Sequence, residues 1–330
     1  MKGVFQQIEQ IKLSQDTNLW SYICLKGTSI LSFKWQGKER DYTEKKRKLL
    51  EEICITFRNT DLRHIKEALK QVREALVANG YRVKVCKIKA ISKVMIGTGG
   101  SFGKVPFEVG LSFDPILNVP FISGSSLKGA FRHALLELIK KGPVKKNTHK
   151  EAINAESIAN IIFGSEKWSG LVGVTDAYPV KPGINGLIFE PDVITPHYPG
   201  AMTELDVNPN PISFLTIARD LVFEFFIYFN KRVYKLEHKY LRKMNRQPRR
   251  KCTELKLVKE LYESKGGEEV LEYAVYKGDL EKALKADQER NPVNLIPWID
   301  RTILYAFARG IGAKTSIGYS RFAVVEYRIV

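Results

Sequence analysis

The chain has 330 residues, more than one hydrophobic core usually holds, and its apolar share is ample for two packed units. Lys and Arg outnumber Asp and Glu by 53 to 36, a formal net charge of +17 that favours polyanionic partners, nucleic acid or an anionic membrane surface, through steering and counterion release. The most apolar run, LVFEFFIYF from Leu221 to Phe229, is too short to cross a bilayer and carries Glu224. Cys24, Cys54, Cys86 and Cys252 form no Cys-x-x-Cys pair, so a membrane span and a zinc ribbon are excluded and a reducing, cytoplasmic setting is expected.

The first eighty residues read as helical. Asp61 is placed to cap a helix whose Leu62, Ile65, Leu69, Val72 and Leu76 recur at three- and four-residue steps until Asn79-Gly80 stops it. A strand follows from Tyr81 to Val94. Arg82 and Lys84 alternate with Val83 and Val85, then Lys87 and Lys89 appear one register later, which predicts a bulge near Val85 to Lys87. A glycine-rich turn, IGTGGSFGK from Ile96 to Lys104, leads to PFISGSSLKG, which opens a helix ending near Lys141-Gly142-Pro143. Short strands are expected at Leu171 to Thr175 and Gly186 to Ile194, then a proline-rich excursion from Ile194 to Ile212. One apolar strand, Ile212 to Phe229, opens the second half. A basic stretch, a helix from Glu268 to Asp287, another from Pro297 to Gly310 and a closing strand from Tyr319 to Ile329 complete it. The order strand, turn, helix, strands occurs once in each half. That predicts an α+β chain with two ferredoxin-like (RRM-like) domains and glycine-rich loops: a helical region over 1–80, a first domain over 81–210 and a second over 211–330.

The positive charge is segregated. Lys231 to Lys259 holds twelve Lys or Arg against two acids, and Arg82 to Lys104 holds six against none. In GSSLKGAFR, Gly124 turns the chain, Ser125 or Ser126 caps the helix, and the first free amides favour an anion. Lys128 and Arg132 lie on one face of its opening turns, where cations oppose the helix dipole unless a phosphate sits there. An ordinary capped helix with two solvated cations reads equally well. In the glycine turn, Gly97, Gly99 and Gly100 allow close backbone approach, Phe102 offers a ring for stacking, and Lys93 and Lys104 flank it with charge. It is not a P-loop, because Thr98 stands where the first glycine is required and Val105 follows the lysine. The last loop, GIGAKTSIGYSRF, imitates a P-loop ending but joins a helix to a strand, the reverse of that motif. Gly310 and Gly312 feed it, Lys314 and Thr315 can donate to phosphates, and Tyr319 and Arg321 can stack on bases. The five histidines, His64, His133, His149, His197 and His238, have no metal-ligand spacing, and no cofactor is expected.

In this order, the glycine turn with Glu108 and Gly110, PFISGSSLKGAFR, DVITPH, NPNPISFLTI and GIGAKTSIGY resemble the RAMP superfamily of CRISPR-associated proteins, and within it the subunit-six family of type III-B Cmr complexes. The set spans roughly Lys93 to Phe322. Ser123 replaces the proline common before the glycine, and Ser320 the last glycine, where it would limit backbone approach to RNA. The resemblance implies a ferredoxin-like fold and a non-catalytic structural role in antiviral defence. It also implies guide RNA bound near its 3′ end, a cap on the backbone filament, and target RNA and other Cmr subunits as partners. The alternative is a metal-independent endoribonuclease processing guide RNA, with His197 or His133 as base.

Overall fold

A computed structural model of the chain describes residues 7–8, 10–141, 155–166, 169–195, 211–230 and 296–329. Its N-terminal part is helical: α1 runs over Leu19–Trp35, α2 over Glu39–Thr56 and α3 over Arg63–Ala78. The Asn18 side chain caps α1 by accepting the Ser21 amide. Asp61 accepts the Arg63 amide at the start of α3, and Gly80, at φ 80°, follows its end. Of the anticipated α3 stripe, Leu62, Ile65 and Leu69 are buried while Val72 is exposed.

The central sheet takes strands from both halves of the chain. In chain order these are β1 (Tyr81–Ala90), then β4 (Val172–Val174) and β5 (Tyr178–Lys181), then β8 (Val222–Asn230) and β9 (Phe322–Ile329). The short pair β2 (Phe113–Asp114) and β3 (Val119–Pro120) stands apart, as does the ribbon of β6 (Phe189–Ile194) and β7 (Ile212–Ile217). β1 lies between β8 and β9, and β4 and β5 share the far edge of β8; every pairing is antiparallel. Helix α4 (Gly124–Lys141) follows β1, and α6 (Ile296–Arg309) precedes β9. This β-α-β-β-α-β order is that of one ferredoxin-like unit. Among the described residues there is therefore one such sheet, not two in tandem. The expected division between 210 and 211 falls inside it, because β1, β4 and β5 pair with β8 and β9.

Helices α4 and α6 share one face of the sheet. Phe131 of α4 and Phe307 of α6 meet edge to face at 5.7 Å, and both pack on Phe225 of β8. Val83 to Cys86 are buried without a break, so β1 is covered on its other face too, where α3 packs against β1, β8 and β5. Lys84, 2 % exposed, lies over the Tyr327 ring at 5.1 Å. The bulge is real but lies elsewhere. β1 keeps one register with β8 from Tyr81 to Lys89; the slip is against β9, between Lys87↔Glu326 and Ile88↔Val324, leaving Val325 as the extra residue. The charge pattern that suggested a turn-over of β1 comes instead from Lys87 pairing with Glu326 and Glu224 on its neighbours.

The apolar run from Ile212 to Phe229 is two strands in two sheets. Asp220, at φ 62°, turns the chain between β7 and β8, a conformation Asp adopts more readily than most residues. The Lys231–Lys259 stretch, the Glu268–Asp287 helix, residues 196–210 of the proline-rich excursion, His149, His197, His238 and Cys252 lie outside the described residues.

Candidate nucleic-acid interface

Three loop segments are stitched into one layer at the end of the sheet. Ala313 donates its amide to the Met95 carbonyl, Ser112 to Ile96, and Phe121 to Ser112; Ile122 then bridges to Ala177 beside the start of α4. The glycine turn, the α4 entry and the last loop thus lie side by side. Contacts this close depend on missing side chains: a Cβ on Gly312 would stand 2.6 Å from the Met95 carbonyl oxygen, and one on Gly124 2.5 Å from that of Val174. Gly97 and Gly100 also face neighbouring backbone, whereas Gly99 faces open space, leaving it the freest for a ligand's approach.

The structure divides the candidate residues into exposed groups and ones the fold already uses. Lys104 and Lys314 are exposed, the latter at φ 56°. Lys128 is half-buried, has no hydrogen bond or ion pair among the described residues, and has its pKa lowered by burial alone. Arg132 is tied to Glu156 and to Asn160 (2.9 Å), both on α5 (Ala155–Phe163). Phe102, expected to offer a free ring, is 2 % exposed and stacks on Phe113 with centroids 3.9 Å apart, because Trp20 and Phe189 close the core around it. Arg321, expected to stack on bases, donates to the carbonyls of Ala308 and Thr315 at 3.0 and 3.1 Å and so fixes the end of α6 to the last loop. Gly310, at φ 89°, makes the helix exit.

The helix-start cap is also reassigned. Ser123, not Ser125 or Ser126, accepts the Ser126 amide at 3.2 Å, while the other two are exposed. A carboxylate holds the amide at the helix entry: Asp176 Oδ1 accepts from Gly124 N at 2.6 Å. Ser320 does not face a ligand. It is fully buried at φ 55°, accepts the Met95 amide through Oγ at 3.0 Å and donates back to carbonyl oxygen.

Asp192 and Asp176 are the residues the sequence reading missed. Tyr319 donates to Asp192 Oδ2 at 2.8 Å, and Lys93 reaches Oδ1 at 3.3 Å and the Pro191 carbonyl at 2.9 Å. Burial, then the Asp192 carboxylate, pushes the Tyr319 hydroxyl up to about 12. Asp192 lies inside β6, in the DVITPH segment that the sequence marked only as part of the resemblance and not as a contact residue. His133 is exposed on α4, 3.8 Å from Glu137. Among the described residues no cluster of His, Cys, Asp and Glu could hold a metal, and no helix is long and apolar enough to cross a membrane.

Comparison with known proteins adds three findings. A family model described as the RAMP superfamily matches residues 87–323. The CRISPR system CMR subunit Cmr6 of Saccharolobus solfataricus (strain ATCC 35092 / DSM 1617 / JCM 11322 / P2) is 34 % identical over 205 residues, 61 % of this chain and 66 % of that protein, so the match spans just under two thirds of the relative. A chain from the cryo-EM structure of the Type III-B Cmr-beta bound to cognate target RNA superposes with a TM-score of 0.66 at 25 % identity, covering 100 % of this chain and 98 % of that one.

Proposed function

The chain belongs to the RAMP superfamily, and on that footing we propose that it is a non-catalytic RNA-binding structural subunit of a type III-B Cmr effector complex acting in antiviral defence. In this reading it holds guide RNA near its 3′ end, caps the filament of backbone subunits, and contacts target RNA and other Cmr subunits. The observation that carries it is the layer of stitched loops, which brings Lys104, Lys314 and Lys128, the last without a partner among the described residues, around glycines of which Gly99 faces open space. Phosphates suit such a surface, and backbone contacts of this kind position RNA without reading its sequence. Because β1 is covered on both faces, the sheet itself offers no open surface there, which supports the loops as the place for RNA in this reading.

The similarity to a CMR subunit, and to a chain from a complex bound to target RNA, supports the choice of partner. A scaffold rather than a nuclease is favoured because the glycine turn, the α4 entry and the last loop carry no histidine, and His133 sits on the exposed side of α4, where Glu137 is its one ion-pair partner among the described residues. The test is purification of the tagged chain with its sister subunits. Guide RNA should co-purify in stoichiometric amount, and repeat RNA incubated with the pure chain should stay intact. Cleavage of that RNA, abolished by substitution of His133 or His197, would establish the processing enzyme instead.

A further inference from the structure

The tip of the α1–α2 hairpin lies outside the family match and carries an exposed indole beside cations that make no ion pair among the described residues. Trp35 is 72 % exposed and has no ring or hydrogen-bond partner among the described residues. The tip is closed by backbone hydrogen bonds: Lys38 donates to the Phe33 carbonyl at 2.9 Å and Gly37 to that of Lys34 at 3.0 Å, ending α1 around a glycine at φ 72°. Cations gather about the neighbouring rings. Lys45 and Lys38 lie 4.5 and 5.9 Å from the Phe33 centroid, and Lys34 5.1 Å from that of Tyr42.

From Lys34 to Lys48 seven basic residues face three acids, Glu39, Asp41 and Glu44, and Lys48 pairs with Glu44. Lys34, Lys38 and Arg40 make no ion pair among the described residues. Stabilisation of the helix end explains Lys34, which lies in the last turn of α1, but not Lys38, Arg40 or an exposed indole.

We propose that this tip is a second surface for single-stranded RNA, with a base stacked on Trp35 and adjacent phosphates held by Lys34, Lys38 and Arg40. An aromatic platform beside unpaired cations is what an unpaired strand uses; a duplex hides its base faces, and an acidic peptide has no base to stack. The tip is also continuous with the loop layer. Tyr42 donates to the Pro106 carbonyl at 3.1 Å, Lys46 pairs with Glu108 at 3.2 Å, and Gly27 packs against Pro106, so the hairpin is seated on the turn that carries Lys104. The proposal rests on the RNA-binding reading for its class of partner and extends it to residues ahead of the family match.

The test uses the full chain, a short unstructured RNA strand and a duplex of equal length. Trp35→Ala should weaken the single strand about tenfold and leave the duplex unchanged, while Trp35→Phe recovers most of the loss. Lys34→Ala with Lys38→Ala should lower the salt slope by about 1.4, two phosphate contacts on a single strand. Lys128→Ala serves as the loop-layer control. If the tip variants bind like wild type while Lys128→Ala is weakened, the tip proposal is wrong and the RNA-binding reading stands. If wild type binds no RNA, both fall. Polyglutamate competing as well as RNA would make the tip a protein-docking surface and overturn the proposal.

Discussion

Ser320 occupies a left-handed backbone conformation that glycine adopts without cost, yet it is the most completely enclosed residue of the last loop. Its hydroxyl offsets the strain by accepting the Met95 amide, which has no other partner among the described residues. Ser320→Ala should therefore cost about 1–3 kcal/mol, the penalty of a buried donor left unpaired. Ser320→Gly relieves the backbone and should cost less. Urea midpoints would measure both, with RNA affinity per folded molecule unchanged; a Ser320→Ala midpoint equal to wild type would show that the hydroxyl contributes nothing. Tyr319 beside it gives a pH signature. Its folded pKa, about 12, is above the ordinary value of 10.0, so its contribution is fully present below pH 10 and is lost as pH rises from 10 through 12. Tyr42, also pushed up to about 12, and Tyr22 and Tyr178, raised further still, act in the same direction, chiefly through burial and then a carboxylate neighbour. Stability measured by denaturant should fall steeply above pH 10, and Tyr319→Phe should make that fall shallower. A slope unaltered by Tyr319→Phe would mean that its bond to Asp192 does not form in solution.

At the level of elements, α4 shows what composition reveals and what it conceals. Its apolar face, its start near Gly124 and its end near Lys141 were all legible, since periodicity and glycine act locally. The fates of its two cations were not, because they depend on a partner helix. Arg132 is bound by Glu156 and Asn160, while Lys128 has no partner among the described residues. Lys128→Ala should accordingly weaken RNA binding roughly uniformly across sequences and lower the salt slope by about one unit, with stability within about 0.5 kcal/mol of wild type. Arg132→Ala should also lose up to about 1 kcal/mol of stability through the α4–α5 contact. Affinity titrations against salt, beside thermal melts, separate the two. An unchanged slope for Lys128→Ala would remove it from the phosphate-binding surface. The same distinction explains the misplaced bulge and the run taken as one strand from Ile212 to Phe229. Val325 becomes the extra residue only through pairing with β1, and the turn at Asp220 is marked in the sequence only by the Arg219-Asp220 pair between two apolar runs, too short a break to separate two strands by periodicity.

For the molecule as a whole, the order of elements was readable but their partnership was not. Strand, helix and strands do recur along the chain, which suggests two domains; in space β1 inserts between β8 and β9, some 140 to 240 residues further on. Sequence separation carries no mark of such pairing, whereas the burial of Val83 to Cys86 on both faces of β1 requires it. A chain cut between residues 210 and 211 tests the difference. The fragment 1–210 would keep β1 but lose both neighbours, uncovering Val83, Val85, Cys86 and Ile88, all at most 1 % exposed. At about 1.5–3 kcal/mol for each large aliphatic side chain, that loss, together with the ladder hydrogen bonds, rivals the 5–15 kcal/mol that holds a typical domain together. Neither fragment should therefore unfold cooperatively alone, co-expression should restore a folded pair, and the intact chain should lose β1, β8 and β9 protection together in hydrogen exchange. A cooperative melt from 1–210 alone would instead establish the tandem arrangement. In that case the loop layer, whose Ala313–Met95 bond crosses the cut, would form by docking of two finished domains rather than within one fold.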